Sequence, residues 1–185
     1  MLDTEGGLTI GLAAHQRLVG PNLVNDGNGT YFANPGESAP GVSTWNFAWY
    51  INNPIGIAGG PGLAAYNFRL TAGSDALGYG TFNPLLFPDN APLLSVTTAG
   101  NSQNLGFGWV TLIGLGAFDP NADDTYAFTL EAFSLTDTLF TSPVASATIN
   151  VQVGSGASSV PDAGSTSMLL SIALAGFAAV RRFVA

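Results

Sequence analysis

The sequence predicts an all-β body, an antiparallel β-sandwich, followed by a flexible linker and a single C-terminal hydrophobic helix. Three observations carry this reading. Apolar residues recur at every second position in several short runs. Those runs are bounded by clusters of Gly, Pro, Asn and Asp. Lysine is absent and glutamate scarce, so long soluble helices have little to be built from. A length of 185 residues suits one domain plus a tail. A composition that is 46% hydrophobic and 11% aromatic is enough to bury a core. The expected divisions are a body over 1–153, a Gly/Ser linker over 154–159 and a tail over 160–185.

The elements follow in order. Leu8, Ile10, Leu12 and Ala14 alternate with Thr9, Gly11 and Ala13 and predict the first strand. Trp45, Phe47, Trp49 and Ile51 predict a second, with Asn46, Ala48 and Tyr50 on its other face. Tyr66, Phe68 and Leu70 predict a third, and Leu105, Phe107 and Trp109, spaced by glycines, a fourth. Tyr126, Phe128 and Leu130, then Ala147, Ile149, Val151 and Val153, predict the last two. Turns are expected at Asp26-Gly27-Asn28-Gly29, Asn34-Pro35-Gly36, Asn52-Asn53-Pro54, Gly59-Gly60-Pro61-Gly62, Pro88-Asp89-Asn90 and Asp119-Pro120-Asn121. Short strands with one apolar face need a second sheet to cover it, which makes a sandwich the economical architecture. Tyr126, just after an acidic loop, stands where immunoglobulin-like sandwiches carry a tyrosine corner, so an immunoglobulin-like or jelly-roll-like form is expected.

Charge narrows the function. Only 9% of residues are charged, against roughly 25% in a typical soluble domain. Before Val160 the chain holds eleven acidic residues and only two basic ones, Arg17 and Arg69. Such a body repels phosphate backbones and anionic lipid, so neither nucleic acid nor an acidic membrane surface is an expected partner of it. With no cysteine there is no disulfide framework and no thiolate metal site. Met1 to Glu5 is acidic where a secretory leader would be basic, and the expectation is that the start of the reading frame lies upstream.

The tail changes character. Gly154 to Ser159 is small and polar, and reads as a linker. Val160-Pro161-Asp162-Ala163-Gly164-Ser165-Thr166 follows, then an apolar stretch from Met168 to Val180, and Arg181-Arg182 ends it. Ala163 to Val180 gives eighteen uncharged residues. As a helix they would span about 27 Å, enough for a thin bilayer core. Arg181 and Arg182 resist transfer and favour the cytoplasmic side. A Pro-Asp motif, an apolar helix and a terminal arginine pair, in this order, resemble the PEP-CTERM sorting signal, in its VPDSG-CTERM variant, with Ala163 in place of serine. Gly11-Leu12-Ala13-Ala14-His15, Gly29-Thr30-Tyr31, Trp45-Asn46-Phe47 and Phe118-Asp119-Pro120-Asn121 are similar to phrases in the β-rich bodies of such proteins. The resemblance implies that an exosortase, a membrane transpeptidase, recognises Val160, Pro161, Asp162, Gly164, Ser165 and Thr166. It implies that helix 163–180 holds the substrate in the inner membrane until processing, with Arg181 and Arg182 setting its orientation. It further implies delivery to the surface or exopolysaccharide matrix of a Gram-negative bacterium.

Chemistry-bearing constellations are sparse. His15 is the one histidine, and no Gly-x-Ser-x-Gly elbow offers it a nucleophile, so no catalytic residue is assigned. Asp119, Asn121 and Asp123 place oxygens at alternate positions, as calcium loops do, but the glycine and glutamate of such a loop are missing; a turn is expected and no metal or other cofactor. Glu37, Asp75, Asp89 and Glu131 show no spacing that suggests a paired-carboxylate site. Tyr50, Tyr66, Tyr79 and Trp109 are aromatics that could stack on sugars. Asn28-Gly29-Thr30 matches a glycosylation sequon but is read as a turn. The expected function is therefore a non-catalytic, exported surface or matrix protein. A carbohydrate-binding module with the same tail is the alternative, and a secreted hydrolase ranks third.

Overall fold

The computed structural model describes residues 1–20, 22–54, 62–86 and 97–154. In chain order they form β1 (Leu2–Glu5), β2 (Leu8–Gln16), β3 (Thr30–Ala33), β4 (Glu37–Ala39), β5 (Val42–Ser43), β6 (Trp45–Asn52), β7 (Tyr66–Ser74), β8 (Gly78–Phe82), β9 (Thr98–Gln103), one helical turn α1 (Trp109–Leu112), β10 (Asp124–Ser134) and β11 (Ala145–Val153). The linker beyond Gly154 and the predicted helix 163–180 lie outside the described residues. Among the described residues no helix is long and apolar enough to cross a membrane.

Two sheets face each other. The first has the order β1-β2-β6-β9, antiparallel throughout. Its register sets Ile10 opposite Ile51, Leu12 opposite Trp49 and Ala14 opposite Phe47, so the alternating apolar residues of both strands share one face. The second has the order β3-β11-β10-β7-β8. Tyr126, Phe128 and Leu130 of β10 lie beside Ile149 and Val151 of β11 and Leu70 of β7, all buried. Between the layers Phe47 stacks on Phe128 with ring centres 4.1 Å apart, and Trp45 meets Tyr126 at 5.5 Å. Aromatic pairs of this kind add to area burial, and removal of one such ring from a core costs about 3–5 kcal/mol.

Two expectations are corrected. The second sheet is mixed, because β3 runs parallel to β11, with Thr30 opposite Asn150 and Ala33 opposite Val153. Hairpins enforce antiparallel pairing only between strands joined by a short turn. The chain instead leaves the first sheet after β2 and lays β3 on the edge of the second. The other correction is the strand expected over Leu105–Trp109, which is a turn leading into α1. The buried Asn104 drives it: its Oδ1 accepts the amides of Gly106 (2.9 Å) and Ser43 (3.2 Å). A Cβ on Gly106 would lie 2.0 Å from the Gly41 oxygen, so this approach requires glycine. Leu105, Trp109 and Val110 still reach the core, Leu105 from the turn and the other two from α1. The run is too short to separate the helix and strand periods.

Candidate functional site

Among the described residues the fold assembles three polar constellations. On the outer face of the first sheet, β2 and β9 flank β6 and bring His15 to Ser102, with Nε2 2.8 Å from Oγ. The other ring nitrogen, Nδ1, lies 2.8 Å from the Gln16 carbonyl oxygen. A carbonyl only accepts, so Nδ1 carries the proton and Nε2 accepts from the Ser102 hydroxyl. Asn46 Nδ2 donates to the same Oγ (2.9 Å), while its Oδ1 accepts from Asn104 Nδ2 (2.8 Å). The pairing has the reach of a nucleophile and base. Its surroundings are those of a structural network: the Ser102 amide is occupied by Asn101 Oδ1 at 2.8 Å and is not free to steady an oxyanion. Sequence reasoning missed Ser102, because no local motif marks a serine that meets its histidine across two strands.

The second constellation is an acidic notch of about 500 Å³ at the start of β10, lined by Asp75, Tyr79, Asp123 and Asp124 among others. Ser74 Oγ donates to Asp124 Oδ2 at 2.5 Å and Tyr79 OH to Asp75 Oδ1 at 3.2 Å. Burial, and then the bond to Asp75, hold the Tyr79 phenol above its ordinary value. The predicted oxygen trio is not gathered. Asp119 Oδ1 accepts the Asn121 amide (2.9 Å) in a turn, the Asn121 side chain reaches Glu37 at 3.5 Å, and Asp123 lines the notch instead. Among the described residues no three His, Cys, Asp or Glu side chains are grouped to hold a metal ion. Tyr126, behind this loop, points inward, and burial, with Asp124 and Asp119 adding, pushes its phenol well up.

The third is a groove of about 480 Å³ where the chain crosses from the first sheet to the second. Arg17, Asn34, Ser38 and Trp45 are among its lining residues.

The remaining candidates are dispersed. Glu131 pairs with Arg69 at 2.9 Å, and Glu37 accepts the Gly41 amide at 3.2 Å. Asp89 lies outside the described residues. Of the four aromatics, Tyr50 (43% exposed) and Tyr79 (55%) are accessible, Tyr66 is half-buried and Trp109 is in the core. Asn28-Gly29-Thr30 forms the predicted turn: Asp26 Oδ1 accepts the amides of Asn28 (2.7 Å) and Thr30 (3.0 Å).

The C-terminal sorting signal supports the class of secreted surface proteins targeted to an exosortase. The signal itself is of the VPDSG-CTERM type, since residues 159–182 match the family model of the VPDSG-CTERM motif. The match takes in every predicted recognition residue from Val160 to Thr166, and Arg181 and Arg182, all of them outside the described residues. The chain matches none of the curated proteins.

Proposed function

We propose that the body is a β-sandwich of the immunoglobulin or jelly-roll kind, displayed without catalytic activity on the surface or in the exopolysaccharide of a Gram-negative bacterium. Before display, segment 163–180 holds the chain in the inner membrane as a helix, with Arg181 and Arg182 on the cytoplasmic side. An exosortase then acts at Val160, Pro161 and Asp162 and releases the helix. The observation that carries this reading is the match of residues 159–182 to the sorting motif. The non-catalytic part is supported by the Ser102 amide, engaged by Asn101 beside the His15 pair. Exposed Tyr50 and Tyr79 favour carbohydrate binding as the second reading, because their rings offer flat apolar faces with a polar edge.

The test is expression with the full upstream reading frame in a host that has an exosortase, followed by mass spectrometry of the mature C-terminus. The surface-located protein is expected to lack Arg181 and Arg182. Surface protein that retains both arginines would overturn processing, and the chain would then be a permanent tail-anchored protein.

A further inference from the structure

We propose that the groove around Arg17 is a binding site for a saccharide unit carrying a carboxylate, a uronic acid. The inference rests on the reading that the body meets polysaccharide outside the cell, and names the place and chemistry of that contact.

Arg17 begins the crossing between the sheets. Its backbone amide donates to the Thr44 carbonyl at 2.8 Å, and the next residue, Leu18, is 83% exposed with a left-handed φ of 70°. A branched side chain rarely adopts that backbone conformation, and the Arg17–Thr44 bond anchors the start of the turn. The guanidinium is positioned as well: Nη1 donates to Ser38 Oγ at 3.0 Å, and the group lies 5.5 Å from the centre of the Phe107 ring. The other body arginine is already matched, since Arg69 pairs with Glu131 at 2.9 Å and lies 4.8 Å from the Phe133 ring centre. Among the described residues no carboxylate lies within ion-pairing distance of Arg17.

The lining is selective against the chain's own composition. The sequence has twelve acidic residues, yet none lines this groove. Polar side chains make up half of its wall, all of them neutral amides or hydroxyls apart from Arg17, and the exposed Val19 and Val24 contribute apolar surface. Amides and hydroxyls pair with sugar hydroxyls, apolar surface takes the C–H face of a ring, and a planar guanidinium fork takes a carboxylate through two parallel bonds. A fatty acid would call for an apolar tube, and a polyphosphate for several cations. The acidic body as a whole repels long polyanions, so a saccharide with isolated carboxylates on an otherwise neutral chain fits best.

Binding of digalacturonic acid and of its methyl ester to the full chain can be compared by calorimetry. The acid is expected to bind and the ester to bind far more weakly, with affinity for the acid falling as salt rises. Arg17→Gln should weaken binding of the acid at least about tenfold, the effect of one lost charge-assisted contact. Arg17→Gln could also loosen the turn, so Asn34→Asp serves as the second variant. It adds a negative charge at an exposed position, and should weaken the acid and spare the ester while the thermal melt stays unchanged. Equal affinity for acid and ester, or unchanged binding in folded Arg17→Gln, would overturn the groove assignment. Co-sedimentation with exopolysaccharide by a wild type that ignores the diuronide would also overturn it, and would leave the surface reading standing. Absence of sedimentation would count against the polysaccharide reading itself.

Discussion

Asp26 holds the turn that feeds β3. Backbone amides of Asn28 and Thr30 point at its carboxylate and keep its pKa below the ordinary 3.8, the Asn28 bond contributing most. A carboxylate depressed by folding adds stability that is present above the unfolded value and lost as pH falls through the folded value. Asp26→Asn is therefore expected to destabilise at neutral pH, and the gap to the wild type should close in acid, as urea titrations at about pH 7 and about pH 2 would show. Gln103 is the opposite case. It is 1% exposed on β9, opposite Phe47, and neither of its side-chain polar atoms has a hydrogen-bond partner among the described residues. A buried amide without partners costs more than an apolar group of the same shape. Gln103→Met should raise the denaturation free energy by about 1 kcal/mol, measured from the urea midpoint. The Asp26 turn was legible in the sequence because its contacts are local. The burial of Gln103 was not, because a glutamine in a run of small polar residues gives no hint of facing the core.

At the scale of elements, long alternating runs were read correctly and short ones were not. β2, β6, β7, β10 and β11 fall where the alternation of apolar residues places them. β9, Thr98–Gln103, carries no such pattern, since Ala99 is its one buried apolar residue. It is a strand because β6 offers it a ladder of partners from Phe47 to Asn52. The segment before α1 erred the other way, and a pair of glycines tests the structure found there. In a strand, Gly106 and Gly108 would share one face and respond alike to substitution. In the turn, a Cβ on Gly106 collides with the Gly41 oxygen, whereas a Cβ on Gly108 meets nothing within 4 Å. Gly106→Ala is expected to cost about 2 kcal/mol or more, and Gly108→Ala, at the N-cap of α1, to cost little. Equal effects in chemical denaturation would restore the strand.

At the scale of the whole molecule, the described residues before the tail bring two apolar sheet faces together. The layers meet through Phe47 and Phe128, and α1 adds Trp109, whose ring lies 6.1 Å from Phe47 and 5.3 Å from Phe82. A chain ending at Gly154 is therefore expected to melt at the same temperature as the full chain, by calorimetry or circular dichroism. A large drop would mean that the apolar stretch 163–180 completes the core instead of seeking lipid, and the export reading would fall with it.

The sequence by itself determined the β-rich body and the sorting tail. Both are written in neighbouring residues: strands in a period of two, and the tail in the linear order of a Pro-Asp motif, an apolar run and two arginines. The tertiary structure alone decided which polar groups meet. His15 and Ser102, and Arg17 and Ser38, are joined by sheet register and by a crossing between layers. No local pattern encodes such meetings, because they depend on how strands distant in sequence are ordered and paired.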